Sequence, residues 1–148
     1  MLRFLRKNRF ILSAAAAGVV LIALIIGFHS MDSGQNAQIV DYIESLGWEI
    51  EHTPEISYLT IPRIFDAIFE NYNIYQKEAG FDLTSFKGAR AVRYSYRVLN
   101  HQQSYTNAVR ANVIVVNREI VAADISSNAP DGFMHAITDV GLMVIMNH

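Results

Sequence analysis

The chain has 148 residues, no cysteine, 51% hydrophobic and 18% charged residues, and a formal net charge of −2. These values fit one modest domain and exclude a freely diffusing basic nucleic-acid binder, a disulfide-stapled miniprotein and a polytopic membrane protein. The charge is unevenly distributed, because four of the 12 basic residues lie within residues 1–9. Residues 29–148 carry eight basic against 14 acidic side chains, so this part of the chain is acidic.

An uncharged apolar segment follows the basic N-terminus. Residues 10–28 contain no charged side chain, and a helix of this length rises about 28 Å, close to the roughly 30 Å hydrocarbon core of a bilayer. The segment exceeds the usual apolar core of a signal peptide, about 7–15 residues, and no Ala-Xaa-Ala-type cleavage site follows it. The sequence predicts an uncleaved transmembrane anchor at 10–28; a cleaved signal peptide is the alternative.

The basic flank predicts the orientation of this anchor. Positive flanks stay in the cytoplasm, which places residues 1–9 inside and the C-terminal part outside the membrane. Residues 29–36 are small and polar, typical of a linker. Residues 37–148 are then an extracytoplasmic domain, and the absence of cysteine is compatible with that compartment.

Hydrophobic periodicity predicts the first elements of this domain. Apolar residues at helical spacing over 39–46, followed by Gly47, indicate a short helix with a glycine cap. Apolar and acidic side chains alternate at the start of residues 48–52, and residues 56–61 are rich in strand-forming residues. Both stretches are therefore predicted to be extended.

A second helix is predicted from Pro62 to about Gly80, because apolar residues recur at helical spacing throughout. Its aromatic stripe is interpreted as core rather than as a ligand groove, since apolar helical stripes are normally buried. The stripe consists of Phe65, Phe69, Tyr72 and Tyr75.

From residue 89 the hydrophobic pattern repeats every two residues, as in a strand with one buried face. This pattern predicts three strands at about 89–98, 109–116 and 120–125. The dipeptide Asn117-Arg118 suits a tight hairpin, since Asn tolerates positive φ. Residues 133–146 are expected to form a short helix or strand at the sheet edge. The predicted fold class is α+β: an N-terminal transmembrane helix, then a two-layer domain with helices on one face of an antiparallel meander and the far face open.

No pattern points to catalysis. The five histidines are scattered, no glycine-rich phosphate loop occurs, and the Ser-His-Asp combinations lack a nucleophile elbow. We therefore expect no catalytic residue, no metal, no cofactor and no nucleic-acid partner.

One face of a predicted strand carries a cluster of basic side chains, although the domain as a whole is acidic. Arg93 and Arg97 lie on the side of their strand opposite Tyr94 and Tyr96, and residues from neighbouring strands can join them. The candidate ligand-binding residues are Arg93, Arg97, Arg110 and Asp124, with Asn112 nearby. They predict a surface for a carboxylate or phosphate of the envelope. A solvated face with cross-strand Arg–Asp pairs is the alternative.

Three segments resemble a small family of bacterial proteins, chiefly from Firmicutes, classed as a domain of unknown function. They are Gly80-Phe81-Asp82-Leu83, Arg93-Tyr94-Ser95-Tyr96 and Asp131-Gly132-Phe133-Met134. The resemblance covers roughly residues 38–138 and implies an N-terminal hydrophobic segment before a domain of about a hundred residues. It implies no particular activity, since the family has none assigned. The chain departs from the family pattern at Asn117-Arg118, where a more glycine-rich turn is expected, and at Ile125, where many relatives are expected to have cysteine.

These observations favour a membrane-anchored extracytoplasmic module that binds a protein or an anionic envelope component. Two alternatives stay open. The first is an envelope enzyme that uses Asp131, His135 and the arginine face, which requires these groups and Asp82 to converge in a cleft. The second is a structural subunit of a membrane complex, recognisable by an exposed apolar patch on the second helix or the C-terminal stretch.

Overall fold

The structure is a computed structural model that describes residues 33–106 and 108–144. The chain divides into two units, Met1–Ala37 and Gln38–His148. The predicted cytoplasmic flank and the predicted anchor at 10–28 lie outside the described residues. Within those residues, no helix is long and apolar enough to cross a membrane.

The second unit is built on a five-stranded antiparallel sheet in which every strand pairs with its neighbours in sequence. The strands are β1 (Glu55–Thr60), β2 (Arg90–Arg97), β3 (Val109–Val116), β4 (Glu119–Ser127) and β5 (Met134–Ala136). The predicted antiparallel meander is therefore confirmed, and β5 provides the expected cover at one edge. Residues 48–52 contribute an isolated bridge between Ile50 and Val98 instead of a strand.

The β3–β4 hairpin follows from its two turn residues. Asn117 and Arg118 both have positive φ, 49° and 70°, as a two-residue turn of type I′ requires. The turn predicted from the sequence is therefore present, although its second position holds an arginine instead of the more common glycine.

Within residues 33–106 and 108–144, two α-helices accompany the sheet. Helix α1 covers residues 33–45, so residues 33–36 of the predicted linker are helical. Helix α2 covers Ala67–Glu78, so the predicted start at Pro62 was wrong. The carboxylate of Asp66 accepts a hydrogen bond from the backbone N–H of Phe69 at 2.8 Å. This N-cap fixes the first turn of α2 and leaves residues 61–66 as a loop.

The core has two parts, one on each face of the sheet. The first part joins α1 and Trp48 to one face of the sheet; its fully buried members include Ile39, Ile43, Tyr96, Val113 and Ile125. The second part lies on the opposite face, where Phe69 and Tyr72 of α2 pack against buried residues that include Ile61, Leu83, Ile114 and Ala122. Val113 and Ile114 are consecutive, so their side chains point to opposite faces.

Two predictions about the layers were therefore wrong. The helices do not share one face of the sheet, and the far face is not fully open. The physical reason is the composition of the far face: one end of it is apolar, at Ile114 and Ala122, and needs the cover that α2 provides. The other end is polar and stays accessible.

The Gly-Phe-Asp-Leu segment has a structural role after α2. Gly80 takes a positive φ of 87°, and the backbone N–H of Phe81 returns to the carbonyl of Gln76 at 2.8 Å, which ends the helix. Asp82 accepts hydrogen bonds from Asn73 Nδ2 and from the backbone N–H of Thr84, both at 3.0 Å. These hydrogen bonds lower the pKa of Asp82.

Candidate ligand-binding cleft

A cleft of about 560 Å³ separates the polar end of the far sheet face from α2. Its volume lies in the range typical of small-molecule sites, roughly 300–1,000 Å³. Strands β1 to β4 form its floor, and α2 forms one wall. Its polar lining includes Glu55, Arg93, Ser95, Arg110, Asn112 and Asp124.

Strand register brings the polar floor together. Glu55 of β1 pairs with Ser95 of β2, Ser95 pairs with Asn112 of β3, and Asn112 pairs with Asp124 of β4. Directly paired residues in antiparallel strands point to the same face. Four residues far apart in sequence thus form one row across the sheet.

Hydrogen bonds fix this row. Asn112 Nδ2 donates to Asp124 Oδ1 at 2.9 Å and to Ser126 Oγ at 2.8 Å. Asn112 Oδ1 accepts a short hydrogen bond from the hydroxyl of Ser95. Helix α2 joins the network through the hydroxyl of Tyr72, which donates to Asp124 Oδ2 at 3.0 Å. The floor is therefore ordered before any ligand arrives.

Asp124 is the buried acid of the network, with 2% of its surface exposed. Burial raises its pKa, and the hydrogen bonds from Asn112, Tyr72 and Ser126 oppose that rise. Burial is also the main cause that raises the pKa of Tyr72 well above its ordinary value, and the charge of Asp124 adds to it. The phenol of Tyr72 therefore holds its proton more tightly than a free tyrosine does, and it donates a hydrogen bond to Asp124.

Arg93 is the accessible cation of the cleft. Its side chain is exposed, and its Nε donates to Ser57 Oγ at 3.2 Å. Within the described residues, no hydrogen bond engages its two terminal nitrogens. These nitrogens present the planar pair of donors that matches a carboxylate.

The other two predicted arginines differ from Arg93. Arg110 lines the cleft, but its Nη2 lies 3.7 Å from Glu55 Oε1. Arg97 shares the strand face but does not line the cleft, and its Nη1 donates to Glu51 Oε1 at 2.6 Å. The structure therefore brings Arg93, Arg110 and Asp124 together and leaves Arg97 outside.

Apolar and aromatic side chains form the rest of the cleft. They include Leu59, Ile68, Phe69, Tyr72, Tyr75 and Ile114. The interpretation of the aromatic stripe as core was therefore incomplete. Phe65 is buried, whereas Phe69 and Tyr72 contribute both to the second core and to the cleft. The sequence signal for this dual role was the pair of hydroxyl groups that Tyr72 and Tyr75 carry within an otherwise apolar stripe.

The residues of the enzyme hypothesis do not gather at this cleft. Asp82 caps the short helix after α2, and neither Asp131 nor His135 lines the cleft. His135 instead stacks on His101, with ring centroids 5.6 Å apart. Among the described residues, no group of three or more potential metal ligands is present.

The fold and the site define the chain as an α+β domain with a ligand-sized cleft between a helix and an antiparallel meander. Residues 42–125 match the family described as Domain of unknown function (DUF4830), and because this is more than half of the 148 residues, the chain belongs to that family. No significant match was found among curated proteins or among solved structures. The family expected from the sequence is confirmed at this level, and its distribution among Firmicutes stays a prediction.

Proposed function

We propose that the protein is a membrane-anchored binding module of the cell envelope, and that its domain holds a small ligand in the cleft outside the membrane. The observation that carries the proposal is the combination, in one cleft of about 560 Å³, of an ordered polar floor with an exposed cation, Arg93. Preordered polar groups in a partly apolar cleft are typical of ligand sites.

Binding is proposed in preference to catalysis because Asp124, the acid at the cleft floor, is engaged in hydrogen bonds within the protein. Asp124 accepts hydrogen bonds from Asn112 and Tyr72, and such a carboxylate orients its neighbours instead of exchanging protons with a substrate. The envelope location is supported by the sequence alone, through the apolar residues 10–28 and the basic residues before them.

The cleft is tested by blocking it. Asn71 lies on α2, is exposed and lines the cleft, whereas Ile74 is exposed on the same helix outside the cleft. We expect Asn71→Trp to fill the cleft and Ile74→Trp to leave it free. Small molecules released by denaturation of full-length protein from membranes are identified by mass spectrometry. The proposal requires a molecule retained by the wild type and by Ile74→Trp but lost from Asn71→Trp; equal retention by both variants, or none by any form, contradicts it.

The absence of cysteine allows a clean topology test. Ile74→Cys places one thiol in the domain, and Lys7→Cys places one in the basic flank. We expect a membrane-impermeant maleimide to label Ile74→Cys in intact cells and Lys7→Cys after lysis only. The reverse pattern contradicts the proposed location, and a mature protein that lacks residues 1–28 identifies a cleaved signal peptide instead.

A second candidate function, a structural subunit of a membrane complex, is favoured by one observation. Ile64 and Ile68 are 87% and 80% exposed near the start of α2, and exposed apolar residues of this size are common at protein contacts. Native electrophoresis of membrane extracts tests this role. A larger complex that is lost in the Ile64→Ser/Ile68→Ser double variant supports it, and unchanged migration of that variant contradicts it.

A further inference from the structure

We infer that the cleft binds an amphipathic monocarboxylate, with its carboxylate on the terminal nitrogens of Arg93 and its apolar body between α2 and the sheet. This inference rests on the proposed binding function and adds the chemical class of the ligand. The shared chemistry is one carboxylate on an apolar body, as in a medium-chain fatty acid or the C-terminal end of a hydrophobic peptide.

The charge balance of the cleft favours a single negative charge. Two arginines and two acids line it, but they are not equally available. Arg110 lies 3.7 Å from Glu55, and Asp124 is buried among its own hydrogen-bond donors. Arg93 acts electrostatically on the nearby Asp124, but it forms no ion pair among the described residues. One accessible cation matches a monoanion.

The same charges disfavour a phosphate. A phosphate monoester carries close to two negative charges at neutral pH, and within this cleft it would face the carboxylates of Glu55 and Asp124 with one available arginine. A carboxylate needs a single planar pair of donors. Because Ser57 holds Nε of Arg93, the terminal nitrogens supply that pair.

The apolar walls determine the rest of the ligand. Leu59 and Ile114 of the sheet and Ile68 and Phe69 of α2 contribute apolar lining to the cleft. Ile68 is 80% exposed, and Leu59 and Phe69 are half-buried. An ion as small as acetate leaves their exposed surface wet, whereas an alkyl or aromatic body buries it, at roughly 25 cal/mol for each Å² removed from water. The volume of about 560 Å³ has room for such a body.

The experiment compares acids with their neutral amides. Full-length protein in lipid nanodiscs is titrated calorimetrically with octanoate and octanamide, and with N-acetyl-Leu-Phe and its C-terminal amide; empty nanodiscs supply the baseline. We expect at least one acid to bind about tenfold more tightly than its amide, as a charge-assisted hydrogen-bonded pair predicts. The acid that binds distinguishes the fatty-acid source from the peptide source.

Two matched variants assign this preference to Arg93. Arg93→Gln should reduce the acid-to-amide ratio to about one, whereas Arg97→Gln, on the same strand face but outside the cleft, should keep it. Arg93→Lys keeps the charge without the planar donor pair and should give an intermediate ratio. The near-ultraviolet circular dichroism of Trp48 checks that each variant is folded.

The outcomes separate this inference from the proposed function. Equal binding of acids and amides overturns the monocarboxylate and leaves cleft binding intact. Absence of binding by all four probes also overturns it, and the retention test with Asn71→Trp then decides on the proposed function independently. A preference for acids that Arg93→Gln does not reduce overturns the role given to Arg93.

Discussion

The hydroxyl of Tyr72 donates to Oδ2 of Asp124 at 3.0 Å, and this hydrogen bond joins helix α2 to strand β4 at the floor of the cleft. One partner comes from an aromatic stripe and the other from the polar row across the sheet. The contact therefore sets the distance between the wall and the floor. The same hydrogen bond therefore contributes both to the packing of α2 and to the geometry of the cleft.

Removing that hydroxyl should destabilise the domain. Tyr72→Phe keeps the ring in the second core but leaves Asp124 without one of its donors, and we expect a loss of about 1–2 kcal/mol in the free energy of unfolding. Chemical denaturation followed by the fluorescence of Trp48, the single tryptophan, measures it. Tyr75→Phe is the control, because no hydrogen bond of the Tyr75 hydroxyl is present among the described residues. Equal losses in the two variants contradict the assigned role.

The sequence predicted those parts of the site that depend on local pattern. Alternation in β2 separates Arg93 from Tyr94, and the prediction that Arg93, Arg110 and Asp124 share a face follows from that alternation and from strand pairing. Local pattern does not encode the position of α2. On the far face, α2 covers the apolar residues Ile114 and Ala122. In β3 and β4 these two alternate with residues of the first core, so the strands are apolar on both sides and local pattern does not show which face a helix covers.

The start of α2 shows the same limit at a smaller scale. Pro62 and Asp66 both suit a helix start, since proline fits the first turn and aspartate fits the N-cap. The structure uses Asp66. Ile61, next to Pro62, is fully buried in the second core, and its backbone N–H bonds the carbonyl of Ala89 at 2.9 Å. This long-range contact, invisible in a local window, holds the chain extended before the helix.

A second interaction of α2 completes the edge of β4. Gln76 is fully buried, and its Oε1 accepts the backbone N–H of Ala123 at 2.7 Å, just before β5 begins to pair with β4 at Asp124. Gln76→Leu leaves that N–H without a partner, which costs about 1–3 kcal/mol. The same change removes the buried Nε2, which has no hydrogen-bond partner among the described residues, so the lower end of this energy range is expected.

Hydrogen exchange at Ala123 provides a direct measurement. We expect Gln76→Leu to speed exchange of the Ala123 amide more than that of amides in the centre of the sheet. Lys77→Met is the control: it changes the next residue, whose contact with Asp82 at 3.8 Å is exposed and contributes little to stability. Unchanged protection of Ala123 in Gln76→Leu contradicts the proposed edge-capping role.

Asp124 should give the domain a pH-dependent stability of unusual sign for a carboxyl group. Its pKa is raised in the folded state, mainly by burial, so the folded chain holds this proton more tightly than the unfolded chain. The resulting stabilisation is complete below the unfolded pKa, about 3.9, and it is lost as the pH rises through the folded pKa.

Asp124→Asn isolates that contribution, because the amide has nearly the same shape and does not ionise. We expect the free energy of unfolding of the wild type, minus that of Asp124→Asn, to fall as the pH rises above about 4. Denaturation curves of both proteins at a series of pH values measure the difference. A difference that rises with pH over this interval contradicts burial as the dominant cause.

His101 should produce a second pH dependence, in a higher range and with the opposite sign. It is buried, stacks on Phe133 with ring centroids 4.9 Å apart, and has an Nε2 that finds no hydrogen-bond partner in the part of the chain that the structure describes. Burial, followed by the nearby charge of His135, lowers the pKa of His101. The unfolded chain therefore takes up this proton at a higher pH than the folded chain.

Stability is consequently lost as the pH falls through the unfolded value of about 6.5, and the loss ends below the lowered pKa of the folded state. His101→Gln keeps a polar side chain but does not titrate, so its free energy of unfolding should decline less than that of the wild type between about pH 7.5 and 5.5. The two curves are compared by urea denaturation with Trp48 fluorescence as the signal. Parallel curves over this interval would show that the buried imidazole does not control the acid sensitivity, since both proteins share every other titrating group.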